Sequence, residues 1–388
     1  MAKTRKIMIV AGEASGDAHA ARLVDALIAT EPETEFEFFG SAGPKMRDAG
    51  VDAVVQSDDL SVVGVAEIAG ALPMFLRSLR DLKAAATKRK PDVIVLVDFP
   101  DFNLKLAKWL KTQGFKVVYY ISPQLWAWRK YRVSAIRKYV DLLMTILPFE
   151  KDWYAKHGVD HVEYVGNPLA NEVHAGMSKE EFCKNIGLDV TKPVIALLPG
   201  SRHKEIVRIL PILLDSAAEM SRQQPDLQFV IAIAKGRNRA DVDKSISQAS
   251  HLPGKLKIVE NETYNVLASS DAAAVTSGTA TLETGILGTP MAIVYATSAL
   301  NYALLKPLIS VEHYGLINLI AGKKVAKELI QNDFSPATVS AELFRLLTPA
   351  INADVREDLC VAREKLGSGG ASKRAAAAIL KLLGPSQN

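Results

Sequence analysis

Ser277, Gly278, Thr279, Thr281 and Glu283 crowd one short stretch whose residue types suit a nucleoside diphosphate. The apolar run Ala272–Val275 before them has the length of a buried parallel strand, and a helical segment follows to about Ile286. The first N–H groups of a helix lack internal partners and its dipole favours negative charge, so a phosphate fits at such a turn. Ser277 and Gly278 let a diphosphate approach the backbone closely, while Thr279 and Thr281 offer hydroxyl donors. Glu283, one turn on, can accept from the two hydroxyls of a ribose. The plainer alternative is a well-capped helix of any α/β protein.

Two further residues have side chains suited to group transfer. Asp98 ends the apolar run Val93–Val97, so its side chain is expected at the carboxyl edge of a sheet, followed by Phe99-Pro100-Asp101-Phe102-Asn103. A partly desolvated carboxylate beside a substrate hydroxyl acts as a general base; a simple cap of the next helix is the competing role. Arg202 lies in the loop Pro199-Gly200-Ser201-Arg202 after the run Val194–Leu198, where a guanidinium can neutralise a departing diphosphate. A surface ion pair with Glu205 is its alternative. Trp126 and Trp128 share a predicted loop with Arg129, Lys130 and Arg132, an amphipathic combination suited to a phosphorylated acyl sugar or a lipid headgroup. Core packing of one of the two tryptophans competes with that role. Cys183 and Cys360 form no CxxC, and His157 and His161 have no nearby acid that suggests a metal, so no metal site is expected.

These residues need strands to present them. Lys6–Ala11 reads as a strand, Gly12–Asp17 as a tight loop and Ala18–Ala29 as an amphipathic helix, which is how a doubly wound sheet begins. The loop lacks the third glycine of the dinucleotide fingerprint. Phe36–Phe39, Val93–Val97, Val117–Ile121 and Leu142–Leu147 supply further strands, with helical segments between most of them. Val165-Gly166-Asn167-Pro168 punctuates the end of this sheet. Alternation then restarts with Val194–Leu198, Phe229–Ala234, Lys257–Val259, Ala272–Val275 and Met291–Tyr295. Two parallel sheets in tandem are expected to face each other across a cleft lined by their carboxyl edges. Ala371–Leu383 is a plain Ala/Leu/Lys helix.

Composition narrows the partners. Of 388 residues, 48% are apolar and 23% charged, as in a soluble globular protein, and a net charge of +4 does not call for nucleic acid. From Arg77 to Lys138, however, 15 Lys/Arg face 4 Asp/Glu, a local excess suited to anionic lipid or substrate phosphates. Leu60–Leu79 is nearly as long as a membrane span, but Glu67, Pro73, Arg77 and two glycines interrupt it. Entry into the interface without crossing fits this pattern, with a buried helix pair as the alternative. The basic N-terminus meets too short an apolar run for a signal peptide, so the cytoplasm is the expected compartment.

The motifs together resemble the lipid-A-disaccharide synthases, inverting GT-B glycosyltransferases of glycosyltransferase family 19. They are GEASGD (Gly12–Asp17), VDFPDFN (Val97–Asn103), SPQLWAWR (Ser122–Arg129), LPFE (Leu147–Glu150), LLPGSR (Leu197–Arg202), SGTATLE (Ser277–Glu283) and NLIAGK (Asn318–Lys323). The resemblance implies an α/β fold of two Rossmann-like domains: residues 1–166 facing acceptor and membrane, residues 167–365 binding the UDP-sugar, and 366–388 a C-terminal helix returning to the first domain. It implies transfer from UDP-2,3-diacylglucosamine to the 6-hydroxyl of 2,3-diacylglucosamine 1-phosphate, giving a β-1,6 disaccharide and UDP by one in-line displacement. Asp98 would be the base and Arg202 would meet the leaving UDP, with no metal or other cofactor. Gly200, Ser201, Ser277–Glu283 and Asn318 would hold the donor. Ser15, Gly16 and Asp17 would face the cleft, and Trp126, Trp128 and Arg129 would meet substrate. The expected partners are these two acylated substrates and the inner-membrane surface, reached through Leu60–Leu79 by a peripherally associated protein; a homodimer is also allowed for. The competing readings are another GT-B enzyme of UDP-sugars, such as a UDP-GlcNAc 2-epimerase or a lipid-linked GlcNAc transferase, and a non-enzymatic nucleotide-sugar binder.

Overall fold

The computed structural model describes residues 4–57, 68–233, 239–298, 302 and 311–384. The chain divides into two units, Met1–Pro168 with Ser368–Asn388, and Leu169–Gly367. The first is built on seven parallel strands: β1 (Thr4–Val10), β2 (Glu35–Ala42), β3 (Asp52–Gln56), β4 (Val93–Val97), β5 (Val117–Tyr120), β6 (Leu142–Thr145) and β7 (Val162–Tyr164). Its helices are α1 (Ala14–Thr30), α2 (Pro44–Asp48), α3 (Ile68–Arg89), α4 (Pro100–Thr112), α5 (Val133–Tyr139) and α6 (Glu150–Lys156).

The period of two along a strand divides the apolar side chains between two cores. Ile7, Ile9, Val93, Val95 and Val97 pack on one face of the sheet with Leu23 and Leu27 of α1. Met8, Val10, Ile94 and Leu96 pack on the other with Leu82 of α3 and Leu106 and Leu110 of α4. Strands buried on both faces must be apolar throughout, which is why Val93–Val97 reads as an unbroken run.

Strand order is β3-β2-β1-β4-β5-β6-β7, so the winding reverses between β1 and β4. Ile7 lies opposite Val93 and Val10 opposite Leu96, which brings the turn after β1 alongside the turn after β4. Ligands of such sheets bind at this reversal, beyond the carboxyl ends of the strands.

The second unit repeats the plan. β8 (Val194–Leu198), β9 (Gln228–Ile233), β10 (Leu256–Glu260), β11 (Ala272–Thr276), β12 (Met291–Tyr295) and β13 (Lys327–Ile330) form a parallel sheet in the order β10-β9-β8-β11-β12-β13. Here the reversal falls between β8 and β11, where Leu198 lies opposite Val275. The helices are α7 (Leu169–Glu172), α8 (Lys179–Ile186), α9 (His203–Gln223), α10 (Arg239–Gln248), α11 (Thr263–Ala268), α12 (Thr279–Ile286), α13 (Leu316–Ala321), α14 (Pro336–Leu347) and α15 (Pro349–Glu364).

α16 (Ala371–Leu383) belongs to the first unit. Its Ala375 and Ile379 share the core of α1, and the Arg374 Nε donates to the Val165 carbonyl at 2.8 Å. Three strands, β3, β7 and β13, have no counterpart in the sequence reading. Each is a short edge strand of mixed burial, so it lacks the apolar run that marks a central strand. Ser15, Gly16 and Asp17 are also not in a loop, because α1 begins at Ala14.

Candidate active site

In the first unit the chemistry gathers at the sheet reversal. β4 ends at Val97, and Asp98 and Phe99 both adopt the left-handed conformation, with φ of 46° and 49°. Non-glycine residues avoid that region because Cβ crowds the following carbonyl oxygen. Phe99, not Asp98, is the N-cap residue of α4, and its side chain makes no cap hydrogen bond. Burial pushes the Asp98 carboxyl up to about 6; the charge of Glu13 adds to the rise and the Phe99 N–H opposes it. Gly12 is required by the same kink, since a Cβ there would lie 2.2 Å from the Phe99 ring. This contact ties the GEASGD turn to the VDFPDFN turn.

Of the α1 residues, Ser15 is exposed and Gly16 is buried. Asp17 requires a correction. It is buried, and its carboxylate accepts from the backbone N–H groups of Gly43 (2.8 Å), Lys45 (2.9 Å) and Met46 (3.1 Å). Asp17 therefore anchors the start of α2 to α1, its carboxylate buried and committed to three backbone donors.

The two tryptophans separate cleanly. Trp126 is a core residue: it is 5% exposed, its Nε1 donates to Glu150 at 3.0 Å, and its ring meets Phe149 edge-on at 5.1 Å. Its substrate-contact assignment is thus corrected. Glu150 is itself buried and also accepts from the N–H groups of Ile146 and Leu147, and burial pushes its carboxyl up to about 7 against those bonds. Trp128 is 41% exposed, with the Arg129 guanidinium 4.0 Å from its ring. Asp101 holds Arg129 at 2.9 Å and also binds Arg132, so the stacked pair is preorganised at the surface.

In the second unit, a cavity of about 670 Å³ opens at the reversal between β8 and β11. Gly200, Ser201 and Arg202 line it after β8, and Ser277, Gly278, Thr279 and Glu283 line it after β11. Thr276 ties the two turns together, its Oγ1 donating to the Leu198 carbonyl at 2.8 Å. Gly200 has φ of 105°, and a Cβ on it would lie 2.6 Å from Glu205, so glycine is needed twice over. Gly278, the N-cap of α12, has φ of 150°, and with Thr279 it is exposed at the mouth of the helix. The Ser277 hydroxyl donates to the Tyr314 carbonyl at 3.1 Å.

Arg202 forms its ion pair with Glu205 at 2.9 Å, yet its side chain remains 80% exposed beside the cavity. Glu205 also accepts from the Ser201 and Arg202 N–H groups, which shapes the loop. A pair this exposed contributes little to stability, so the guanidinium can leave Glu205 at small cost. The half-buried Glu283 accepts from the Tyr264 hydroxyl at 3.0 Å, and burial raises its carboxyl above the usual glutamate range.

Two donor-site assignments are corrected. Thr281 is buried and absent from the cavity wall, its hydroxyl donating back to the Gly278 carbonyl at 2.8 Å. Asn318 is also buried. It donates to Ala326 O and Glu328 and accepts from the Val325 and Ala326 N–H groups, so it staples α13 to the approach to β13.

Sequence reasoning missed Tyr264, His174 and Asn261, which line the cavity. The signal for Asn261 was available: it follows β10 at the sheet's carboxyl edge and takes a left-handed φ of 64°, which asparagine tolerates.

Residues 7–382 match the family model described as lipid-A-disaccharide synthetase. A lipid-A-disaccharide synthase from Geobacter sulfurreducens is 41% identical over 382 residues, covering 98% of each chain. Among solved structures, the glycosyltransferase of kitacinnamycin aligns with a TM-score of 0.65 at 16% identity, covering 98% of this chain and 99% of that one. A UDP-GlcNAc 2-epimerase from Neisseria meningitidis, bound to UDP-GlcNAc, aligns with a TM-score of 0.62 at 14% identity, covering 98% and 100%. Identities this low show a shared two-domain fold and nothing finer.

Proposed function

The chain belongs to the lipid-A-disaccharide synthase family, and from that premise we propose that it joins UDP-2,3-diacylglucosamine to 2,3-diacylglucosamine 1-phosphate by one inverting displacement. It is a glycosyltransferase of GT-B fold. The observation that carries the finer reading is that each unit's sheet reversal holds a chemistry the transfer needs. The first unit offers a raised, partly buried carboxylate, and the second a glycine-rich cavity with a helix start and an exposed arginine.

In this reading the UDP moiety lies in the second unit. The Gly278–Thr279 start of α12 receives the diphosphate, Glu283 accepts from the ribose, and Arg202 leaves Glu205 to neutralise charge as the sugar–phosphate bond breaks. Asp98 takes the proton from the acceptor 6-hydroxyl as its oxygen attacks the anomeric carbon from the face opposite UDP. One displacement turns the α donor into a β product without a covalent sugar–enzyme intermediate. Trp128 and Arg129 supply an apolar and cationic contact for a phosphorylated, acylated acceptor. Mass spectrometry of a reaction containing both acylated substrates should find a disaccharide monophosphate and UDP in equal amounts. A free epimerised sugar with no disaccharide would overturn the reading.

Both substrates carry acyl chains, and α3 gives the enzyme a way to meet them. Residues 58–67, the first part of the apolar stretch, lie outside the described residues. From there onward no described helix is long and apolar enough to cross a membrane. Leu72 and Leu76 are 53% and 56% exposed, with Arg77 and Arg80 exposed beside them. Phe75 instead meets Phe102 edge-on at 4.8 Å and belongs to the core rim. Much of the basic excess is already paired, Arg89 with Glu37 and Asp52 and Lys111 with Asp141, so the surface attraction is smaller than the sequence count implies. The double substitution Leu72→Ser/Leu76→Ser should weaken binding to anionic phospholipid vesicles roughly 10- to 150-fold, from about 1.5–3 kcal/mol of lost apolar burial. Salt should weaken the parent chain's binding. Co-sedimentation unchanged by the leucine substitutions would remove this helix from the membrane contact.

A further inference from the structure

We propose that Asn103 and Tyr119 are positioning residues that hold the backbone kink presenting the Asp98 carboxylate. Two consecutive left-handed, non-glycine residues persist only where the surroundings over-determine them. At Asp98 the hold falls on the backbone carbonyl. It accepts from the Tyr119 hydroxyl at 2.7 Å and from the Asn103 Nδ2 at 2.7 Å. The same Nδ2 reaches the Val97 carbonyl at 3.2 Å, so one amide bridges the last strand residue and the kink. The Asp98 N–H in turn donates to the Tyr120 carbonyl at 3.0 Å. On the other side the Phe99 ring fills the space left by Gly12 and stacks on Phe102 at 5.6 Å.

Both donors are fully buried and come from elements bracketing the kink, Asn103 from the first turn of α4 and Tyr119 from β5, beside β4. Asn103 is not there to satisfy itself, because its buried Oδ1 has no partner among the described residues. Burial, with the nearby Asp98 charge, holds the Tyr119 phenol well above its ordinary range, so it stays a donor at any working pH. The carbonyl is thus pinned while the carboxylate is left for chemistry. A misplacement of about an ångström at a reacting group can cost on the order of a hundredfold in rate, which is the scale of what this clamp protects.

The inference rests on Asp98 being the general base, and the test separates the two. Tyr119→Phe deletes one hydroxyl and Asn103→Leu both polar atoms at similar volume. Each should lower kcat about tenfold or more, with UDP affinity unchanged and the acidic limb of the pH–rate profile displaced. In an Asp98→Asn background neither should lower kcat further, because a positioning residue acts only through the group it positions. If Asp98→Asn is disabling while both variants keep the parent's kcat and acidic limb, the kink holds itself and this inference fails alone. If Asp98→Asn is itself silent, the base assignment fails and takes the clamp with it. Should Asn103→Leu not fold, Tyr119→Phe, which keeps the ring in place, decides the question by the same readouts.

Discussion

Asp98→Asn should lower kcat by about 10²–10⁴-fold, the contribution of a well-placed general base, while leaving UDP binding intact. Burial and the Glu13 charge push the carboxyl up to about 6, so the parent enzyme should gain activity as pH rises through that value. The variant, having no carboxyl to deprotonate, should lose that acidic limb. Stability should move the opposite way. The folded carboxyl holds its proton more tightly than the unfolded one, so its contribution favours folding below its ordinary value of 3.8 and is lost as pH rises through about 6. Above pH 6 the parent carries a buried charge that the amide avoids, so Asp98→Asn should melt at the same or a higher temperature there. A less active but no less stable variant is the signature of a strained catalytic position. Retention of both turnover and the acidic limb would end the assignment. Glu13, exposed on the neighbouring turn, would then be the next carboxylate to test, since Asp17 is committed to three backbone donors.

Glu283→Ala should weaken UDP binding by about 1.5–3 kcal/mol, the range for a hydrogen bond to a charged group, which is roughly 10- to 150-fold in Kd. Calorimetric titration measures this without any acceptor. Tyr264 donates to the same carboxylate, so Tyr264→Phe should have a smaller effect of the same sign by freeing the acceptor to wander. Because burial raises the Glu283 carboxyl, its protonation begins at higher pH than for an ordinary glutamate. UDP affinity of the parent chain should therefore fall more steeply on acidification than that of Glu283→Ala, which keeps only the dependence set by the protonation of the UDP phosphate itself. An alanine variant with the parent's Kd would remove Glu283 from the ribose contact.

The central strands were legible because two-sided burial demands unbroken apolar runs such as Val93–Val97 and Val194–Leu198. Their alternation with helices set the fold class, and the turns at their carboxyl ends marked where chemistry could sit. Edge strands β3, β7 and β13 escaped because half-polar segments of three to five residues carry no periodicity that distinguishes them from loops.

Sequence by itself determined which polar residues the two reversals receive, since Asp98, Arg202, Ser277 and Glu283 follow from strand ends and local spacing. Tertiary structure alone decided which polar groups remain free. Asp17 meets Gly43, Lys45 and Met46, Trp126 meets Glu150, and Asn318 meets Glu328, each partner supplied by another element. Serine, aspartate or tryptophan in a motif has the same capacity for hydrogen bonds wherever it falls. Burial makes each such group find a partner, and only the folded chain settles whether that partner is its own backbone or leaves an atom for substrate.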